Sequence, residues 1–270
     1  MSTFDKKTTE QHYYETQVNE EEYLNWYKKQ HFPTQDMPSV TVDNVLFCYN
    51  KEQDALKVLL IKRNTHPFKD SWALPGGFVT PGEATADSCI RETKEETNVE
   101  ITREHVEQLH TFSTPGRDPR GWVITVSYLA FIGEEPLDAG DEAAQASWFD
   151  LTREGELLQL TNHSDATICL NLTTGESIGE DSLAFDHAKI IIKAFNRVCN
   201  KMYHEPQVLR VLGNDFTISE ARRVYAKFLG VSFKDIDHSN YKKAMLPYFN
   251  EIGERATGVG RPSKIYELKS

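Results

Sequence analysis

The chain has 270 residues, 39% of them hydrophobic, a formal charge of −11 and four cysteines, enough length for one or two domains with a sizeable core. No run approaches the eighteen apolar residues of a membrane span, and the acidic, tyrosine-rich start lacks the basic and apolar regions of a signal peptide. Cys48, Cys89, Cys169 and Cys199 are too scattered for a paired metal motif, so reduced thiols are the simplest reading and a cytoplasmic protein without a helical membrane span is expected.

Residues 1–18 are polar without an apolar period, which predicts a mobile start. From Asn19 to Gln30 acids come first and bases last behind a residue able to cap, the pattern of a short helix. Tyr23, Trp26 and Tyr27 form an aromatic stripe on it, a packing surface or, alternatively, a ligand surface; Pro33 and Pro38 close the segment. Residues 40–49 and 56–61 are β-branched, apolar runs joined by a charged turn, and predict paired strands.

Residues 76–99 then form a glycine-bearing loop that runs into a helix crowded with glutamates. Helical geometry returns to one face every three to four residues, so Glu92, Glu95 and Glu96 project together beside Arg91 and the upstream Glu83. Like charges this close repel, and a single arginine is a poor account of them as a stabilising surface network. A divalent cation is a better one. Hard oxygen donors without histidine or cysteine favour Mg²⁺ or Mn²⁺ over zinc. The alternative is an exposed charged helix.

Residues 106–113 and 122–131 predict two further strands, and 146–149 a short last one, giving a mixed sheet sandwiched by helices. The loop between the first two carries Arg117, Asp118 and Arg120 among glycines and prolines. It suits phosphate or ribose recognition, or equally a solvated hairpin tip. Gly140, Asp141 and Glu142 form an acidic loop before Trp148, and residues 151–182 read as a connector with extended structure at 166–172. From Leu183 onward, Ala184, His187, Ile190, Ile191, Ala194, Phe195 and Val198 recur at helical spacing. This long amphipathic helix has a stripe that a partner subunit could cover. His187 has no second histidine one turn away, and reads as structural or ligand-contacting rather than metal-binding.

Residues 201–270 hold twelve Lys or Arg against eight Asp or Glu, about +4, which leaves about −15 for the remainder. A basic module on an acidic body suits local DNA binding. Thr217 and Glu220 form a capping-box pattern at the head of a helix that Gly230 ends. A second helix at about 239–251 and a glycine-tipped hairpin at 253–268 complete the layout of a winged helix-turn-helix. Ser239, Asn240, Lys242 and Lys243 on the second helix, with Arg261 and Lys264 on the wing, are the candidate DNA contacts. The alternative is a dimerisation cap.

Gly77, Glu83, Arg91, Glu92, Glu95, Glu96 and Val99 fall in the order and spacing of the Nudix box, and the chain resembles that family. Thr93 departs from the usual aliphatic residue, which loosens one packing contact, and Asn98 replaces the glycine after the helix. The resemblance implies an α+β chain: a Nudix α/β/α sandwich with a mixed sheet, followed by a winged helix-turn-helix. It implies metal-assisted attack of water on a pyrophosphate, with Glu92, Glu95, Glu96 and the Gly76 carbonyl on the metal. Arg91 would hold Glu83, and Glu142 is the candidate general base.

The Asp-Pro-Arg-Gly segment at 118–121 looks like that of ADP-ribose-handling members, and places Arg63, Gly77, Arg117, Asp118 and Arg120 at the ligand. With Leu-Ala-Phe-Asp-His at 183–187, Phe-Thr-Ile-Ser-Glu-Ala at 216–221 and Gly-Arg-Pro-Ser-Lys-Ile-Tyr at 260–266, the order is similar to Nudix-related transcriptional regulators of NAD metabolism. That implies a repressor sensing ADP-ribose or a related NAD metabolite and binding a double-stranded operator as a homodimer. The alternative is an Mg²⁺-dependent ADP-ribose pyrophosphatase whose last module serves only for dimerisation. The expected divisions are 1–37 as a helical extension, 38–155 as the Nudix domain, 156–200 as connector and long helix, and 201–270 as the winged helix.

Overall fold

The computed structural model describes residues 9–29, 37–133, 135–137, 143–162, 166–179, 182–256 and 262–269. They belong to two compact units, Met1–Pro38 and Ser39–Ser270. In the first, α1 (Thr9–Thr16) and α2 (Glu20–Tyr27) pair through Tyr14, which stacks on Trp26 at 4.7 Å. Asn19 caps α2 as expected, its Oδ1 accepting the Glu22 N–H at 2.9 Å. Helix α1 corrects the expectation of a mobile start for its eight residues: the contact that holds it lies on another helix, and no period within residues 9–16 reveals it.

The second unit is built on one sheet. Strands β1 (Ser39–Asn50) and β2 (Ala55–Arg63) are antiparallel, with Phe47 opposite Val58. The short β3 (Trp72–Ala73) joins β2, and β4 (Gly76–Phe78) joins β1 with Gly76 opposite Asp43. After α3 (Thr85–Thr97) come β5 (Val106–Phe112) and β6 (Val123–Phe131), the latter parallel to β1 from Ser39 to Phe47. Strands β7 (Ala143–Glu154), β8 (Leu157–Asn162), β9 (Ala166–Asn171) and β10 (Ser177–Ile178) give the order β10-β9-β8-β7-β2-β1-β6-β5. The stretch expected as a connector therefore extends the sheet. Its alternating burial, with Leu158, Leu160, Ile168 and Leu170 inward, is that of strands half covered by a core.

Successive residues of β1 point to opposite faces, and both faces are covered. Val42 and Leu46 lie on the side of α3, while Val45, Phe47 and Tyr49 enter the main core with α4 (His187–Lys201). Helix α4 begins later than its apolar period suggests, because Leu183 bridges to Trp72 and the Ala184 N–H donates to the Trp72 carbonyl at 2.8 Å. Its stripe is buried within the chain: Ile190, Ala194 and Phe195 are all inaccessible to solvent. That corrects the expectation that a partner subunit covers this stripe.

The C-terminal part comprises β11 (Phe216–Thr217), α5 (Ile218–Leu229), α6 (His238–Met245), β12 (Phe249–Arg255) and β13 (Ser263–Leu268), with the strands in the order β11-β13-β12. The capping box forms as expected: Thr217 Oγ1 accepts the Glu220 N–H at 3.1 Å, and Glu220 accepts the Thr217 N–H at 2.6 Å. Gly230 ends α5 at a φ of +65°. Helix α6 is shorter than expected, since a 3₁₀ turn through Pro247 diverts the chain into β12. Phe216, Tyr225, Phe228, Tyr241 and Phe249 share one core with Phe47, Phe149 and Phe195, so sheet and winged helix are continuous.

Candidate functional site

Helix α3 carries the box. Asn98 closes it in the left-handed conformation at a φ of +58°, its N–H returning to the Lys94 carbonyl at 2.9 Å. Thr93 does more than tolerate its position: fully buried, its hydroxyl donates to the Cys89 carbonyl at 2.8 Å and accepts from Asn44 Nδ2 at 3.0 Å, tying α3 to β1. The departure replaces packing with a hydrogen bond.

Arg91 reaches three of the carboxylates at once. Its Nε and Nη2 donate to the two oxygens of Glu83, both at 3.0 Å, and its Nη1 reaches Glu92 at 2.7 Å and Glu95 at 2.9 Å. This corrects the argument that one arginine leaves the repulsion unanswered, because the planar fork faces three acids at once. Arg91, helped by Ser88 and Thr80, holds the Glu83 carboxyl at about 2. Glu96 instead turns inward, buried, and accepts the Gly76 N–H at 2.8 Å. Two glycines make this approach possible: a Cβ on Gly77 would lie 2.4 Å from the Glu92 carboxylate, and one on Gly76 2.0 Å from the Val42 carbonyl.

Among the described residues no three His, Cys, Asp or Glu side chains converge as a cation cage, and Arg91 Nη1 lies between Glu92 and Glu95. By chemistry the donors fit a hard divalent ion, all being oxygens on one helix face above the Gly76–Gly77 strand. A cation there would compete with Arg91 for Glu92 and Glu95.

Beside the box lies a cleft lined by Asp43, Arg63, Gly76, Glu96, Asp118, Arg120, Phe185 and His187, among others. Arg117 also borders it, but its side chain is only 4% exposed and is committed to Asp186, with Nε–Oδ2 at 3.0 Å and Nη2–Oδ1 at 2.6 Å. Asp43 lies 3.6 Å from the same guanidinium, accepts the Thr125 hydroxyl at 2.7 Å and faces His187 Nε2 at 3.4 Å. Arg117 is thus a strut between β1 and the head of α4 rather than a group offered to a ligand. Asp118 is likewise taken: Arg120 meets it through three guanidinium contacts, the shortest 2.7 Å. Burial opposes ionisation of Asp118, but Arg120 prevails and its pKa is lowered.

Arg63 differs. Its Nε donates to the Pro67 carbonyl at 2.8 Å, and among the described residues it has no carboxylate at ion-pair distance. Burial, followed by the charge of Arg120, lowers its pKa. The carbons of both guanidiniums lie over Phe185, at 5.1 Å for Arg63 and 5.5 Å for Arg120. His187 Nδ1 accepts the Leu74 N–H at 2.8 Å, so the unprotonated nitrogen is fixed; burial lowers the His187 pKa, with Asp43 working against it. Sequence reasoning missed Asp43 and Phe185 as parts of the cleft, and Asp186 as the partner of Arg117. An acid inside the apolar run of β1 was the signal for Asp43; Phe185 and Asp186 fall in the Leu-Ala-Phe-Asp-His motif, which marked the segment without giving either residue a role.

In the C-terminal part Ser239, Asn240 and Lys243 are exposed and Lys242 is partly so, all on α6, whose Asp237 cap accepts the Asn240 N–H at 2.8 Å. Lys264 pairs across the hairpin with Glu251 at 2.7 Å. Glu142 and Arg261 lie outside the described residues.

The NUDIX domain family model matches residues 37–169, and the NrtR DNA-binding winged helix domain model matches residues 208–268. A crystal structure of a MutT/nudix family protein from Enterococcus faecalis is 62% identical with a TM-score of 0.91, covering 98% of this chain and 100% of that one. The chain belongs to the Nudix family. Its Nudix domain is followed by a winged helix of the NrtR type, and the whole is similar to Shewanella oneidensis NrtR crystallised with a 27mer DNA, at 28% identity and a TM-score of 0.64 over 85% of this chain and 93% of that one. It is 27% identical to the ADPR responsive transcriptional repressor NtrR of Acinetobacter baylyi over 93% of this chain and 88% of the relative. It is 38% identical to an ADP-ribose pyrophosphatase of Methanocaldococcus jannaschii over 57% of this chain and 71% of that protein. Among the described residues no helix is long and apolar enough to cross a membrane.

Proposed function

We propose that this Nudix protein is a transcriptional repressor that binds ADP-ribose, or a related NAD metabolite, in the cleft between Arg63 and Arg120. It binds a double-stranded operator through α6 and the β12–β13 wing, and controls genes of NAD metabolism. The observation that carries the reading is the single core running from the sheet under the cleft into α5 and α6, so that the cleft and the C-terminal helices share one hydrophobic interior. The similarity over both parts to a DNA-bound NrtR and to an ADPR responsive repressor supports it. Ser239, Asn240, Lys242 and Lys243 supply groove and phosphate donors, and Arg261 and Lys264 extend them on the wing, Lys264 by exchanging Glu251 for phosphate. The protein acts in the cytoplasm as a homodimer that reads two half-sites, through a surface other than the internal stripe of α4.

The box adds hydrolysis of the ligand. Glu92, Glu95, Glu96 and the Gly76 carbonyl would hold Mg²⁺ or Mn²⁺, which would supply Lewis-acid activation of the pyrophosphate and of water. With a cation bound, Arg91 would give up Glu92 and Glu95 while keeping Glu83, and Glu142 remains the candidate base. Fluorescence anisotropy with DNA from the protein's own promoter, against random duplex and with or without ADP-ribose, tests the regulator: equal affinity for both duplexes overturns it. Glu96→Gln should abolish Mg²⁺-dependent ADP-ribose hydrolysis in a folded protein, and retained turnover removes the catalytic half alone.

A further inference from the structure

Residues 183–187 leave the cleft wall and enter α4 without a break. Leu183 and Ala184 are fastened to Trp72, Asp186 to Arg117, and His187 to the Leu74 N–H. Between these ties Phe185 holds a φ of +53°, a left-handed conformation that a bulky L-residue keeps only when its surroundings enforce it. Besides those ties, the Phe185 ring is packed by groups in and beside the cleft. The ring lies 4.7 Å from Phe68 and 5.3 Å from His187, and the carbons of the Arg63 and Arg120 guanidiniums lie over it.

Of the two guanidiniums, Arg120 is held by Asp118, whereas Arg63 donates through its Nε to the Pro67 carbonyl and, among the described residues, has no carboxylate at ion-pair distance. A phosphate-bearing ligand therefore finds in Arg63 the cation with no acid to give up, and a phosphate offers it bidentate hydrogen bonds. Drawing that guanidinium off the ring removes one of the contacts that keep Phe185 in its strained conformation. Phe185 immediately precedes Asp186, the residue at the N-cap of α4. The far side of α4 meets the winged helix through Phe195, 5.3 Å from Phe228, and through Cys199, whose Sγ donates to the Phe228 carbonyl at 3.4 Å.

We infer that Arg63 and Phe185 are a positioning pair that reports phosphate occupancy of the cleft to the winged helix: Arg63 lies on the ring in one state and on the ligand's phosphates in the other, and the head of α4 follows. The inference rests on the reading that the cleft takes ADP-ribose. It also states what differs between the two states, without which a ligand shifts no equilibrium.

The measured quantity is the coupling factor, the ratio of operator Kd with saturating ADP-ribose to that without it, by anisotropy on full-length protein. ADP-ribose is raised until each variant saturates, so a changed ligand affinity does not enter the ratio. In Phe185→Ala and Phe185→Leu the factor should fall to within about twofold of one, while Phe185→Tyr, which keeps the ring, should retain the wild-type factor. Arg63→Ala without ligand should move the operator Kd toward the ligand-saturated wild-type value. Circular dichroism checks folding; if Phe185→Ala does not fold, Phe185→Leu against Phe185→Tyr decides. A wild-type factor retained in Phe185→Leu overturns the inference and leaves the repressor reading standing. A factor of one in the wild type overturns the ligand-responsive reading itself, and this inference with it.

Discussion

Replacing Arg117 with alanine separates a strut from a ligand-binding group. The side chains of Arg117, Asp43 and Asp186 are 4%, 9% and 13% exposed, so the truncation strands two mostly buried acids beside the cleft. Removing one partner of a buried ion pair costs about 3–5 kcal/mol. Asp43 keeps the Thr125 hydroxyl at 2.7 Å, which puts the expectation near the lower end, about 3 kcal/mol. For a domain of this size each kcal/mol lowers the melting temperature by about 2–4 °C, so a loss of about 6–12 °C is expected. Thermal denaturation followed by circular dichroism reads it directly. The double variant Arg117→Ala/Asp186→Ala should recover part of the loss, by about 1 kcal/mol or more relative to additivity, because it removes one of the stranded charges. A melting temperature within about 2 °C of wild type, together with a collapse of ADP-ribose affinity, would refute the assignment and return Arg117 to the ligand.

Gly77→Ala places a Cβ 2.4 Å from the Glu92 carboxylate; the flexible glutamate can give way, so the fold should survive while Mn²⁺ affinity by calorimetry, and any ADP-ribose turnover, fall by about 100-fold. Unchanged values would remove Glu92 from the metal site. Because burial lowers the His187 pKa from its ordinary 6.5, the unfolded chain takes up a proton that the folded one refuses as pH falls below that value. Stability measured by urea denaturation should therefore drop between pH 7.5 and 5.5, and less so in His187→Gln, whose side chain can still accept from Leu74; parallel losses in both proteins would contradict it. Asp43, Asp186, Arg117 and Arg63 surround the ring and are common to both proteins. Replacing Lys242 and Lys243 with alanine should weaken operator binding and flatten the log–log salt dependence by about two, at about 0.9 per phosphate contact, and an unaltered slope would exclude both residues from the phosphate contacts.

What could be read from the chain was local. The glutamates of the box helix, the capping box at Thr217 and Glu220 and the stripe of α4 rest on offsets of three or four residues, and such offsets are fixed by helix geometry before any tertiary contact forms. The strands β1 and β2 were legible for the same reason, and the Nudix family was legible because its chemistry is written in one continuous box. The tertiary structure decided the rest. Arg117 and Arg120 look alike in the sequence, yet one is bound to an acid 69 residues away and the other to an acid two residues away. Asp43 meets Thr125 across 82 residues, and Phe185 gathers Arg63 and Arg120 from opposite sides of the box. The partner of α4's stripe was undecided for the same reason: periodicity shows that a face must be covered, and only the packing of distant segments shows by what.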